Sequence, residues 1–217
     1  MNNIPRLILV FILCFVAGCE NNITSLYECI DAYGCVEVSD NSVSSAQYFD
    51  DVSDCQNICD LKQNLQGARV TVFLYENCPI AQYMCGPLRN TYRYFCDTLD
   101  QDIVFRGFSP NSFSTESSLE IFQIEYDIPF MLLLDYDNIE QAPGLYTQLY
   151  SPVVTPEVFI ELNGELVYRG MIDNSYQSLG QWTPPTENYL FAVLTSIMNN
   201  EEISYSETEA IGCFINY

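Results

Sequence analysis

The chain has 217 residues, of which 48% are hydrophobic and 14% aromatic, and this composition favours a packed globular body over a disordered chain. Its net charge of −22, with only seven lysines and arginines, argues against binding to nucleic acid or anionic lipid surfaces. The sequence has no histidine, which excludes Ser-His-Asp and Cys-His catalysis and most zinc sites. The candidate chemistry therefore rests on cysteine, carboxylates or tyrosine, and no cofactor or metal site is predicted.

Residues 1–18 have the pattern of a bacterial export signal. Arg6 gives a positive start, and residues 7–16 form an apolar run that is too short to span a bilayer. The run ends in residues 16–19 (VAGC), which resemble the lipobox of bacterial lipoproteins. The resemblance implies cleavage before Cys19, lipidation of that cysteine and a place in the bacterial cell envelope, periplasmic or surface-facing. An ordinary secretory signal with a chance cysteine is the alternative.

Ten cysteines occur in the sequence, and the signal and the lipid site account for Cys14 and Cys19. An even number remains, which in an exported chain points to disulfides. These cysteines are Cys29, Cys35, Cys55, Cys59, Cys78, Cys85, Cys96 and Cys213.

A tether over residues 19–26 leads into a cysteine-dense module, residues 27–60. The module is too short to bury a sufficient core alone, so disulfide staples are expected. Its first half alternates as a small hairpin would, and its second half predicts a short helix that carries Cys55 and Cys59 on one face. Among three connectivities we favour the nested pairs Cys29–Cys59 and Cys35–Cys55, which clamp the hairpin onto the helix. A four-cysteine metal site is the alternative, but the spacing lacks C-x2-C pairs.

Residues 66–217 show the alternating strand and helix patterns of an α/β domain. Predicted strands cover residues 69–75, 102–109, 129–135, 157–162 and 165–172, and Asn163-Gly164 is a strong hairpin signal between the last two. Predicted helices cover residues 79–99, 114–126, 138–149 and 185–200. The first has Pro79 at its first position and a kink at Gly86-Pro87, and Ser114 and Ser117 are cap candidates for the second.

Cys78 stands directly after the first predicted core strand and directly before a helix. Amides at a helix N-terminus favour a thiolate, so this position is expected to lower the pKa of the Cys78 thiol and to make it a competent nucleophile. A structural cysteine or half of a static disulfide is the alternative.

Three further segments follow in chain order. Thr155-Pro156 precedes the first strand of the predicted hairpin, residues 168–173 (YRGMID) lie at the end of its second strand, and residues 208–213 (TEAIGC) lie in the tail. Together with the Cys78 segment they resemble redoxin-type proteins of the thioredoxin-like superfamily, over residues 68–217. The resemblance implies a thioredoxin-like fold, with a central mixed sheet flanked by helices, preceded here by the small disulfide-rich module.

The same resemblance implies roles for residues. Pro156 would be cis beside the reactive cysteine, and Thr155 would expose backbone for substrate pairing. Arg169 is a candidate for holding a nearby anion or thiolate, although it can equally pack at a strand edge. A tail cysteine that folds back would resolve a disulfide with Cys78, which assigns that role to Cys213.

The chain also departs from the superfamily's common patterns. The C-x-x-C pair is absent because Ala81 occupies the second cysteine position, and Cys85 lies about 10 Å along the helix, beyond disulfide reach. Cys213 is therefore the candidate resolving partner. The peroxiredoxin signature, Pro and Thr a few residues before the reactive cysteine, is also absent before Cys78. Peroxidase activity is therefore not expected.

Two functions follow from these features. One is a thiol–disulfide oxidoreductase in which Cys78 attacks a substrate disulfide and Cys213 resolves it, with protein or small-molecule thiols and disulfides as partners. The other is a non-enzymatic binding or scaffold lipoprotein with structural disulfides, because fold alone does not give function. Membrane contact is expected only through the lipid anchor.

Overall fold

The computed structural model describes residues 26–30, 34–38, 48–49, 52, 55 and 67–217. The predicted signal, the lipidation site Cys19 and the pairing of Cys29 with Cys59 lie outside these described residues. Within the described part of the chain, no helix combines the length and the apolar character that a membrane span requires.

The N-terminal module contains a small antiparallel sheet of β1 (Leu26–Ile30), β2 (Gly34–Val38) and β3 (Tyr48–Phe49), with β1 in the centre. β1 and β2 form the hairpin that the sequence predicts. A disulfide joins Cys35 to Cys55 with their Cα atoms 5.9 Å apart, and this is one of the two predicted pairs. Both cysteines are buried, and Tyr27 of β1 packs against them.

The strands after the module are, in chain order, β4 (Ala68–Phe73), β5 (Ile103–Ser109), β6 (Leu132–Leu134), β7 (Tyr136–Asp137), β8 (Ala142–Pro143), β9 (Val154–Thr155), β10 (Glu157–Leu162), β11 (Glu165–Gly170), β12 (Tyr176–Ser178), β13 (Gln181–Trp182) and β14 (Cys213–Phe214). The α-helices are α1 (Pro79–Tyr92), α2 (Glu116–Glu125), α3 (Leu145–Tyr150) and α4 (Tyr189–Asn199), and a π-helix (Arg93–Thr98) continues from α1.

The central sheet has the strand order β11-β10-β4-β5-β6. β4, β5 and β6 are parallel, whereas β10 pairs antiparallel with both β4 and β11. The hairpin between β10 and β11 turns at Asn163 and Gly164, which both have positive φ, as this tight turn requires. This mixed sheet with its late antiparallel hairpin is the thioredoxin-like fold that the sequence predicts.

Helices cover both faces of the sheet. Because successive side chains of a strand point to opposite sides, β4 contributes to a hydrophobic cluster on each face. Val70 and Val72 of β4 join the large core that includes the buried sides of α1 and α4. Phe73 points the other way into an aromatic cluster with Tyr146 and Tyr150 of α3. Val36 of the N-terminal module packs against this second cluster, so the module lies on the α3 side of the sheet.

A buried arginine organises the polar groups on the α3 side. Arg106 donates hydrogen bonds to the hydroxyls of Thr71, at 2.8 Å, and Tyr150, at 2.6 Å. Its guanidinium lies 4.7 Å from the centroid of the Tyr146 ring. Asp135 accepts hydrogen bonds from the first turn of α3, and burial raises the pKa of this carboxyl above its ordinary value.

Several predicted element boundaries were wrong. The helix predicted over 138–149 is confined to α3, because β7 and β8 form a small hairpin first. Thr115 and Ser118, rather than Ser114 and Ser117, form the capping box of α2. The α-helix predicted over 79–99 ends at Tyr92, and the hairpin of β12 and β13 was not predicted.

Candidate functional site

Cys78 is the N-cap residue of α1, and Pro79 begins the helix. The Cys78 amide donates to the Tyr75 carbonyl at 3.0 Å, which closes the turn between β4 and the helix. In the same turn, the Glu76 carboxylate accepts hydrogen bonds of 2.7 Å from the hydroxyls of Ser114 and Ser118. The start of α2 therefore holds the turn that presents Cys78.

A disulfide joins Cys78 to Cys213, and their Cα atoms lie 5.9 Å apart. The structure thus brings together the two cysteines that the sequence predicts as a pair. Cys78 is 0% exposed, whereas Cys213 is partly exposed. The Cys78 sulfur lies 3.1 Å from the Thr155 carbonyl oxygen, which only a reduced thiol could use as a hydrogen-bond acceptor.

The tail brings Cys213 to this position by pairing with the strand before Pro156. β14 runs antiparallel to β9, with Cys213 opposite Thr155 and Phe214 opposite Val154. The peptide bond between Thr155 and Pro156 is cis. The backbone predicted to pair with substrate is therefore occupied, in this structure, by the chain's own tail.

Contacts on both sides of Cys213 hold the tail independently of the disulfide. On one side, the Thr208 hydroxyl lies 2.7 Å from the Tyr168 hydroxyl and accepts from the Met171 amide at 2.9 Å. On the other side, the Asn216 amide donates to the Asn111 side chain at 2.9 Å, and the Asn216 carbonyl accepts from the Ser112 amide at 2.9 Å.

Two glycines allow the tail to approach the domain so closely. Gly170 has a φ of +134°, and an added Cβ there would collide with the backbone and hydroxyl of Thr208. At Gly212, an added Cβ would collide with the Thr155 carbonyl group. The sequence segments that contain these glycines were predicted to matter, but their role as sites of close approach is visible only in the fold.

Arg169 is paired with a carboxylate. Its guanidinium donates to Glu157 Oε1 at 2.6 and 3.1 Å and lies 4.9 Å from the centroid of the Phe159 ring. Its charge is therefore directed to Glu157. Arg169 also lines a groove of about 840 Å³ beside the tail, together with the exposed side chains of Leu179 and Phe214.

The two remaining cysteines of the domain are free thiols. Burial raises the pKa of Cys85 to about 12, and its thiol donates to the Ala81 carbonyl. Burial, followed by the charge of Asp97, raises the pKa of Cys96 to about 11. Both thiols therefore stay protonated at neutral pH and are poor nucleophiles.

Comparisons with known proteins support the fold. No family model and no curated protein matches the sequence. An uncharacterized conserved protein from Geobacillus kaustophilus is 19% identical, with a TM-score of 0.60 over 89% of this chain and 87% of that one. A hypothetical protein from Sinorhizobium meliloti 1021 is 18% identical, with a TM-score of 0.60 over 91% of this chain and 96% of that one.

A thioredoxin domain of a Bacteroides vulgatus thiol-disulfide oxidoreductase is 18% identical over 51% of this chain and 74% of its own. Its TM-score is 0.41. The sheet topology, the cysteine at the start of α1 and the cis peptide bond between Thr155 and Pro156 give residues 67–217 a thioredoxin-like fold.

Replacing Gly212 with alanine tests the docking of the tail. Because the new methyl group would collide with Thr155, we expect G212A to lower the free energy of unfolding by about 1–3 kcal/mol. It should also raise the fraction of unpaired Cys213. Urea unfolding of the oxidised protein and thiol counting under native conditions measure the two effects.

Gly86 supplies the matched control for that substitution. An added Cβ at Gly86, inside α1, has no atom within 4 Å, so G86A should be neutral or stabilising by up to about 1 kcal/mol. Equal unfolding midpoints for the two variants would contradict the close approach of Gly212 to Thr155.

Proposed function

We propose that this protein is a thiol–disulfide oxidoreductase whose redox-active pair is Cys78 and Cys213. The observation that supports the proposal best is the disulfide between the N-cap residue of α1 and the tail strand beside the cis-proline. Its partners would be protein or small-molecule thiols and disulfides.

The reaction would be a two-electron exchange. In the reducing direction, the Cys78–Cys213 dithiol gives two electrons and two protons to a substrate disulfide, which leaves as two thiols, and the protein disulfide forms. The opposite direction oxidises two external thiols. The sequence assigns the attack on substrate to Cys78 and the resolving step to Cys213.

The difference in burial between the two described disulfides supports a reactive role for Cys78–Cys213. Cys35 and Cys55 are 3% and 0% exposed, so an external thiolate reaches neither sulfur without local unfolding. In the other pair, Cys213 is partly exposed. Access is a requirement for exchange, and exposed disulfides are the labile ones.

A scaffold role for the same domain is the second candidate. It is favoured by the hydrogen bonds that hold the tail on both sides of Cys213, because a permanently docked tail would make the disulfide a structural clasp. The two candidates differ in whether the native protein can open this bond.

Stepwise reduction of the native protein distinguishes the oxidoreductase role from the scaffold role. We expect dithiothreitol to reduce Cys78–Cys213 reversibly while Cys35–Cys55 stays intact, because only the first disulfide contains a partly exposed cysteine. The wild-type protein should also accelerate the reduction of insulin by dithiothreitol. Peptide mapping after maleimide labelling identifies which cysteines open.

Variants make the same assay specific. C78S and C213S should each return insulin reduction to the uncatalysed rate, whereas C85S should keep the wild-type rate, because serine can donate the same hydrogen bond to Ala81. If Cys78–Cys213 opens only at denaturing urea concentrations, the scaffold role is correct and the oxidoreductase proposal is wrong.

We further propose that the protein is exported and lipid-anchored through Cys19 in a bacterial cell envelope. The support is the sequence alone: a positive start, an apolar run and the VAGC segment before an even set of cysteines. Such an address would be oxidising, which suits the disulfides.

Metabolic labelling with palmitate in a bacterial host tests the anchor. The wild-type chain should incorporate label and sediment with membranes, and C19A should do neither. Label retained in C19A, or a wild-type chain that remains unlabelled, would contradict lipidation at Cys19. C14A is the matched control, because Cys14 lies within the predicted signal and should leave labelling unchanged.

A further inference from the structure

We propose that Cys213, rather than Cys78, is the sulfur that exchanges with the external partner, and that Cys78 is the internal sulfur that leaves and returns. This assignment rests on the proposed redox function and reverses the order of attack that the sequence predicts. The cysteine of the docked tail would thus exchange disulfides first with the external partner and then with the buried Cys78.

The exposure of the two cysteines supports the assignment. A thiolate attacks a disulfide along the sulfur–sulfur axis, from the side opposite the leaving sulfur, so it needs access to the sulfur that it attacks. Cys213 is partly exposed and is followed by Phe214, which is 72% exposed. Cys78 is 0% exposed and packed among buried residues, so an external thiolate reaches it only when the surrounding structure opens.

The surroundings of Cys78 suit a sulfur that leaves and is stored as a neutral thiol. When an external thiolate bonds to Cys213, the bond between the two protein sulfurs breaks and its electron pair leaves with Cys78. Cys78 then takes up a proton, and its thiol can donate to the Thr155 carbonyl oxygen, 3.1 Å away.

The second half of the exchange completes the balance. Another external thiolate attacks the partner sulfur of the mixed disulfide, and Cys213 leaves as a thiolate that takes up a proton. Two external thiols have then become one disulfide, and the protein disulfide has become two thiols. In reverse, Cys213 attacks a partner disulfide and Cys78 attacks Cys213 to release the second partner thiol.

The tail anchors keep Cys213 in place after the bond opens. Thr208 is bonded to Tyr168 and Met171 on one side, and Asn216 to Asn111 and Ser112 on the other. Neither set of contacts needs the disulfide. A reduced chain would therefore keep Cys78 buried and Cys213 partly exposed, so Cys213 remains the more exposed cysteine in both redox states.

Mixed-disulfide formation on single variants of the full chain tests this assignment. Glutathione disulfide at pH 7 is the probe, and intact mass with peptide mapping identifies the modified residue. In C78S, we expect Cys213 to be modified at the rate of a surface thiol. In C213S, we expect Cys78 to be modified at least about 100-fold more slowly, because it reacts only when the tail opens.

Removing a tail anchor provides the second arm. T208V deletes two hydrogen bonds of the tail, so in the C213S background it should speed modification of Cys78 by about tenfold or more. C213A replaces C213S if the serine variant does not fold. Cys85 reports on folding, because its buried thiol should stay unmodified in every folded variant.

Two results would overturn the assignment. Modification of Cys78 in C213S as fast as that of Cys213 in C78S would make Cys78 the entry sulfur, with a tail that swings away. An unreactive Cys213 in C78S would exclude it as the exchanging sulfur. Neither readout requires turnover, so a failure of insulin reduction by the wild type would count against the proposed function separately.

Discussion

The pairing of the C-terminal tail with the strand before Pro156 is the constraint on which the site depends. It places Cys213 opposite Thr155 and brings together two cysteines that are 135 residues apart in sequence. The close approach requires glycine at position 212, because a larger residue would collide with Thr155. Without this pairing, the cysteine at the start of α1 would lose the disulfide partner that the structure gives it.

The tail also gives the two sulfurs different environments. The thioredoxin-like scaffold supplies the turn held by Glu76, the helix start and the cis-proline, and these features fix Cys78. Cys78 is fully buried in the core, whereas the tail cysteine bonded to it is partly exposed. A chain without a C-x-x-C pair thus gains a second sulfur from a distant segment, and the asymmetry of burial gives each sulfur a distinct role in the proposed exchange.

Much of the fold could be predicted from local patterns. The alternating strand and helix patterns and the Asn163-Gly164 hairpin signal predicted an α/β domain with a late hairpin, and the predicted pairing of Cys35 with Cys55 is present in the structure. The predicted helix over residues 138–149 began too early, because β7 pairs with β8 where the pattern predicted helix. The tail anchors at Thr208 and Asn216 join segments that lie far apart in sequence, so periodicity contains no signal for them.

Disulfide mapping of the protein purified from an oxidising compartment tests the central claim most directly. Free thiols are blocked in denaturant at low pH, the chain is digested without reduction, and linked peptides are identified by mass spectrometry. The account predicts a peptide pair that joins Cys78 to Cys213, with Cys85 and Cys96 blocked as free thiols. A free Cys213, or a Cys78 linked to any other cysteine, would contradict it.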